Sequence, residues 1–238
     1  MEVFWVEQVI GNVPAKDDWL GDREQQVLAA LKIPKRRADW RLGRWTAKHA
    51  VAAFLKLPSG ESSFSAIEIR AAASGAPQAF LRDQPARVSI SLSHSNGAAL
   101  CTVTQAETVV GCDLELIEPR SDAFLADYFT AEEQRIVARS PGEQRDLIVT
   151  VLWSAKESAL KSLREGLRLD TRAVSAWLEC IPSAAALPFS EWSELRVRHE
   201  NKVFAGWWRC AGRLVRTVVS VPSAVAPISL KNLFAAKS

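Results

Sequence analysis

Val109-Val110-Gly111-Cys112-Asp113-Leu114-Glu115-Leu116 is the stretch from which the rest of the chain can be read. Its β-branched and apolar residues predict a strand. The period of two then sets Val110, Cys112, Leu114 and Leu116 on one face, with Asp113 and Glu115 on the other. Two carboxylates side by side repel each other. A hard cation such as Mg²⁺ relieves that repulsion, because it takes one or two carboxylates and fills its shell with water and substrate phosphate. A half-exposed strand with a solvated acidic face fits the same eight residues, and Asp-x-Glu triplets arise often by chance.

C-terminal to this strand, a loop is expected around Pro119 and a helix from about Thr130. Ile148, Leu152, Ala155, Ala159 and Leu163 recur at helical spacing and predict a helix from Ile148 to Leu163. That helix carries Trp153-Ser154-Ala155-Lys156-Glu157, with Lys161 four residues beyond Glu157. Glutamate first and lysine four later is the favourable order for an exposed ion pair worth roughly 0.3 kcal/mol, and spacing alone supports nothing more. Strands follow at Leu195 to His199, Lys202 to Trp208 and Leu214 to Val221.

The same succession precedes the quoted stretch. An opening strand spans residues 1 to 10, and a short helix from Asp22 to Leu31 is stopped by Pro34. A long helix from Lys35 to Leu57 follows, with Trp40, Ala47, Val51 and Phe54 on one stripe. Short strands are expected at Phe64 to Arg70, Val88 to Ser93 and Ala98 to Thr104. Each half runs a long helix and then several strands, which predicts an α+β protein of two similar lobes, 1–108 and 109–238. No convincing internal sequence repeat is evident.

Composition narrows the function classes. Of 238 residues, 48% are hydrophobic and 24% charged, as expected of a soluble globular chain. No apolar run approaches the roughly 18 residues of a membrane span, and the first residues lack the basic start of a secretory signal, so a cytoplasmic protein is expected. The cysteines, Cys101, Cys112, Cys180 and Cys210, form no C-x-x-C pair and read as buried thiols. A net charge of +3 is too small to argue for nucleic acid by itself. The long first-lobe helix nevertheless carries Arg37, Arg41, Arg44 and Lys48 in a stripe beside Trp40 and Trp45. Such a stripe is a solvated face, a phosphate grip or a nucleic-acid surface. In Ser89-Ile90-Ser91-Leu92-Ser93-His94-Ser95, His94 shares the apolar face but stands at the strand end, before an Asn96-Gly97 turn, where a ligand can reach it.

The order of these features is more specific than any one of them. A basic helix is followed by Gly75-Ala76-Pro77, Ser91-Leu92-Ser93-His94-Ser95, Val110-Gly111-x-Asp113-x-Glu115, Phe129-Thr130-x-x-Glu133 and Trp153-Ser154-x-Lys156-Glu157-x-x-x-Lys161. The series, from about Arg36 to Asp170, resembles the Sfp-type 4′-phosphopantetheinyl transferases. The resemblance implies an α+β fold of two lobes in pseudo-two-fold arrangement, working as a cytoplasmic monomer. It also implies transfer of the 4′-phosphopantetheine arm of coenzyme A to a serine of an apo acyl or peptidyl carrier protein, with release of adenosine 3′,5′-bisphosphate. On that resemblance Asp113, Glu115 and Glu157 are the Mg²⁺ ligands, with Mn²⁺ an open alternative. Glu157 is also the general base and Lys161 the group that meets the leaving phosphate, so Asp113, Glu157 and Lys161 form the catalytic set. Coenzyme A falls to Arg37, Arg44, Lys48, Pro77, Ser93, His94, Lys156 and Lys161.

The chain departs from the family pattern at Ala76, where Lys or Arg is common, and around Gly166, where only one glycine is kept. The carrier is expected to dock near Ile136, Val137 and Leu147, with Arg135, Arg139 and Arg145 facing its acidic surface. Two other readings stand beside the enzyme: a nucleic-acid-binding module with no role for the acidic residues, and a family member that binds but does not transfer.

Overall fold

The computed structural model describes all residues except 59, 141, 165–168, 180–190 and 231–238, so Cys180 and Gly166 lie outside the described residues. The chain falls into two compact units, divided between Thr108 and Val109.

The first unit opens with β1 (Phe4–Val9), then α1 (Asp22–Ala30), α2 (Pro34–Phe54), a single turn α3 (Glu61–Phe64), β2 (Ile67–Ala71), β3 (Pro77–Leu81), β4 (Gln84–Pro85), β5 (Val88–Ser95) and β6 (Ala98–Gln105). Pro34 starts α2, where its missing amide costs nothing, and Lys56 in the left-handed region (φ 55°) follows its end. Ala47, Ala50 and Val51 of α2 pack with Trp19, Phe64, Ile67 and Val103 into one buried cluster. The β5–β6 hairpin closes on Asn96 and Gly97, both at positive φ (48° and 72°), as a tight two-residue turn demands. That hairpin fixes His94 near the end of its strand.

The second unit holds β7 (Val109–Leu116), α4 (Asp122–Tyr128), α5 (Ala131–Ala138), α6 (Gly142–Leu163), β8 (Val174–Leu178), β9 (Ser193–His199), β10 (Lys202–Ala211) and β11 (Leu214–Val221). Its five strands run in the order β7-β11-β10-β9-β8, each antiparallel to its neighbour. Helix α6 lies against β7 and β11, and its Val151, Leu152, Ala155 and Ala159 form the core with Val215, Val219 and Trp208. At the contact with β7 the backbones nearly touch: a Cβ on Gly111 would sit 1.8 Å from the Ser158 carbonyl oxygen. Only glycine fits there.

The final strand β12 (Ile228–Ser229) pairs in parallel with β1. The segment from Ile228, expected in the second lobe, therefore groups with the first unit, whose larger sheet runs β12-β1-β6-β5 beside a smaller β2-β3-β4. Local readings also shift. Phe64 ends a helical turn rather than starting a strand. The expected loop after Pro119 contains α4, capped by the Ser121 side chain accepting from the Phe124 amide. Helix α6 begins at Gly142 rather than Ile148, and β3 and β8 are additional strands. The acidic face of β7 is covered as well: Asp113 is only 3% exposed. Mixed helices and sheets make the protein α+β, and no helix among the described residues is long and apolar enough to cross a membrane.

Candidate functional site

In the second unit, the close approach at Gly111 brings the acidic strand face under one turn of α6. Lys161 Nζ donates to Asp113 Oδ1 at 2.7 Å and to the Cys112 carbonyl at 3.1 Å. Ser154 Oγ donates to Asp113 Oδ2 at 2.8 Å. Glu115 accepts from the Trp153 indole at 3.3 Å and lies 3.6 Å from the Arg120 guanidinium. Glu157 Oε1 is buried and accepts no hydrogen bond among the described residues.

Electrostatics tie these groups together. Burial, then the neighbouring charge of Asp113, pushes the Glu115 carboxyl up to about 7. The same two causes, in the same order, raise Glu157. Burial works against the Lys161 ammonium, but Asp113 and its neighbours outweigh it and hold the amine above its ordinary range. Asp113 disfavours charge on both Glu115 and Glu157, and the three carboxylates, one with an orphaned oxygen, form an all-oxygen donor set suited to a hard divalent cation. As the side chains are placed they do not converge: among the described residues no three His, Cys, Asp or Glu side chains have metal-holding geometry.

The first unit contains a pocket of about 470 Å³ lined by Arg36, Arg44, Arg70, Asp39, Trp40, Pro77, Leu92 and His94, among others. Gly43 lets α2 approach β5, since a Cβ there would meet Leu92 at 3.1 Å. Arg44 follows it into the pocket, its guanidinium 4.7 Å from the Trp40 ring centroid and 3.9 Å from Glu24. Its Nε is buried with no hydrogen-bond partner among the described residues, and burial, opposed by Glu24, lowers its pKa. Three guanidinium groups, an indole and an imidazole suit an anionic ligand bearing a flat ring. Arg36 and Arg70 line this pocket and were not among the expected site residues. Arg70 pairs in register with Gln78, beside Pro77, so the strand pairing was the signal that would have found it.

Several expected ligand contacts are internal instead. Arg37 donates to the Leu28 and Leu31 carbonyls, closing the end of α1. Arg41 bonds Asp17 at 2.8 Å and the Pro14 carbonyl. Lys48 is fully buried, 2.5 Å from Glu24 and 2.9 Å from the carbonyls of Trp19 and Phe64. Lys156, also fully buried, donates to Glu133 at 2.7 Å and to the Val174 carbonyl at 2.5 Å. Ser93 is buried and is not among the residues lining the pocket, whereas Leu92 and His94 are. With Arg37, Arg41 and Lys48 engaged internally, the basic stripe is largely removed as a nucleic-acid surface. Val137 and Leu147 belong to the core and Arg145 bonds Asp122 and the Arg120 carbonyl, so the expected docking patch is largely structural.

Comparison with known proteins finds a family match within the second unit. Residues 109–207 match the family model described as ACPS, the 4′-phosphopantetheinyl transferase superfamily. The 4′-phosphopantetheinyl transferase HetI of Nostoc sp. is 28% identical over 137 residues, 57% of this chain and 55% of the relative. The chain thus matches about half the length of that curated relative. Among solved structures, a holo-(acyl-carrier-protein) synthase from Bacillus anthracis in complex with CoA (3′,5′-ADP) is similar at 24% identity, covering 43% of this chain and 92% of that one, with a TM-score of 0.37. The holo-[acyl-carrier-protein] synthase of Thermotoga maritima is similar at 21% identity, covering 54% and 74%, with a TM-score of 0.35. Residues 109–207 are thus similar to the 4′-phosphopantetheinyl transferase superfamily.

Proposed function

We propose that the protein transfers the 4′-phosphopantetheine arm of coenzyme A to a serine of an apo acyl or peptidyl carrier protein, releasing adenosine 3′,5′-bisphosphate. The observation that carries this reading is the cluster of Asp113, Glu115 and Glu157 against Lys161, inside the segment that matches the family model. The three carboxylates would hold Mg²⁺ or Mn²⁺, which supplies, when bound, polarisation of the pyrophosphate and neutralisation of the departing charge.

The chain's own groups divide the remaining work. Glu157, with an oxygen that accepts no hydrogen bond among the described residues and a raised pKa, accepts the proton of the carrier serine. Lys161, firmly protonated, meets negative charge as the bisphosphate departs. In the other unit, Arg36, Arg44 and His94 grip a phosphate while Trp40 offers a face to the adenine. Arg70 supplies a cation at the pocket where Ala76 lacks one, although it already pairs with Glu68.

The test is the intact mass of a panel of apo carrier proteins incubated with the protein, coenzyme A and Mg²⁺, with and without chelator. A gain of one phosphopantetheine arm that chelator abolishes is expected. No gain on any carrier, with Mg²⁺ or Mn²⁺, overturns the proposal.

A further inference from the structure

The geometry points to Thr217 as a positioning residue that orients Asp113 through a one-way chain of buried hydroxyls, an inference that rests on the transfer reading above. Thr217 stands directly opposite Asp113 across the β7–β11 pair. Ser154 Oγ lies 2.8 Å from Asp113 Oδ2 and 2.8 Å from Thr217 Oγ1. Ser158 Oγ lies 2.7 Å from Thr217 Oγ1 and 3.2 Å from the Thr217 carbonyl. All three hydroxyl residues are fully buried.

Counting protons fixes the direction of the chain. Asp113, ion-paired with Lys161, only accepts, so Ser154 gives it the single hydroxyl proton it has. Ser154 then meets Thr217 with lone pairs alone, and Thr217 must donate. Having given its proton to Ser154, Thr217 accepts from Ser158. The order Ser158 to Thr217 to Ser154 to Asp113 is the one arrangement that satisfies all three hydroxyl contacts along the chain, the longer 3.2 Å contact with the Thr217 carbonyl sharing the Ser158 proton, and each donor polarises the next. Lys161 holds the other carboxylate oxygen, so Asp113 is gripped at both ends and its rotation about the Cβ–Cγ bond is blocked. Outer partners of this kind set how well a carboxylate ligates: their loss costs about 10-fold to 100-fold in metal affinity or activity.

The test compares Thr217→Val, similar in shape but without the hydroxyl, with Thr217→Ser, which keeps it. Mn²⁺ affinity of the full chain, read by electron paramagnetic resonance without coenzyme A or carrier, is measured beside the kinetics of transfer and the circular dichroism spectrum. Thr217→Val is expected to weaken Mn²⁺ binding about 10-fold to 100-fold and to lower kcat, with KM for coenzyme A unchanged. Thr217→Ser is expected to behave as the natural protein. Folded Thr217→Val with unchanged Mn²⁺ affinity overturns the inference and leaves the transfer reading intact. So does folded Thr217→Ser that fails as the valine does, since packing of the methyl group would then be the cause. If Thr217→Val does not fold, Ser158→Ala removes the outermost hydroxyl, and a smaller loss of Mn²⁺ affinity in the same direction is required. A natural protein that neither binds Mn²⁺ nor modifies a carrier overturns the reading beneath.

Discussion

The two units are built around the same clamp and differ one helical turn beyond it. Trp45-Thr46-Ala47-Lys48 in α2 and Trp153-Ser154-Ala155-Lys156 in α6 are a short internal repeat. Each lysine is fully buried against a glutamate of the preceding helix, Glu24 or Glu133. Each glutamate also accepts from the amide that opens its own helix, Gly21 or Thr130, and from a strand amide, Ile69 or Ala176. An aromatic ring closes each pair, Trp19 at 5.4 Å and Phe129 at 5.6 Å from the ammonium. After the repeat the units part. In α2, His49 packs between the rings of Trp45 and Phe64, and Ala53 follows. In α6 the corresponding residues are Glu157 and Lys161. On β1, Phe4 meets Phe54 edge-on, while β7 brings Gly111 and Asp113 against its helix. The clamp is therefore architecture common to both units, and the acidic cluster described above lies in the second.

The largest effect expected from breaking this contrast lies in the second unit. Asp113→Asn is predicted to lower kcat for arm transfer about 10³-fold, since it removes the charge that Lys161 and its neighbours are arranged around. His49→Gln, at the position in the first unit that corresponds to Glu157, is predicted to leave kcat unchanged. Comparable losses in both variants, each folded, would mean that the chemistry is not confined to one unit.

Next in size are the clamps. Lys48→Met and Lys156→Met each take the ammonium away from a buried glutamate, and each is predicted to cost about 3–5 kcal/mol in chemical denaturation. KM for coenzyme A is expected to stay the same in both. A tenfold rise in KM for Lys156→Met without loss of stability would restore that lysine as a phosphate ligand and break the equivalence of the two pairs.

The clamps also show how far the sequence could be read. Strands, long helices and the succession of elements follow from periodicity, so β7, β11 and α2 were legible. The Asp113–Glu115 pair was legible because alternation alone places the two on one face. Lys48 and Arg37 read as phosphate ligands because charge in a helix stripe reads as exposure, and Lys156 was assigned by the family resemblance. Their burial depends on carbonyls and carboxylates brought in from helices and strands distant in sequence, which no helical wheel contains. Phe129-Thr130-x-x-Glu133 was legible as a motif but not as a capping box that also grips Lys156. Thr217 gave one faint sign, a lone threonine amid valines on a buried strand, and its role needed the cross-strand register. The repeat went unseen because four residues of similarity carry little weight until both copies are seen holding the same buried pair.

A smaller effect sharpens the contrast from the first unit. Arg44→Gln is predicted to raise KM for coenzyme A about tenfold, roughly the worth of one charged hydrogen bond, and to leave kcat nearly unchanged. A fall in kcat with constant KM would instead place Arg44 among the groups that act on the transition state.

The smallest effect is a slope. Folded Glu115 binds its proton up to a pH of about 7, against 4.5 for an unperturbed glutamate. Between those values the folded state carries a proton that the unfolded state has lost, so folding stability contributed by this group is present below about 4.5 and declines as pH rises to about 7. Glu157, shifted in the same direction, adds to the decline. Urea midpoints of the natural protein, measured in chelator from pH 5 to 8, are predicted to drop with rising pH, and Glu115→Gln is predicted to flatten the curve. An unchanged slope in Glu115→Gln would move the source of the pH dependence away from β7, and with it the electrostatic difference between the two units.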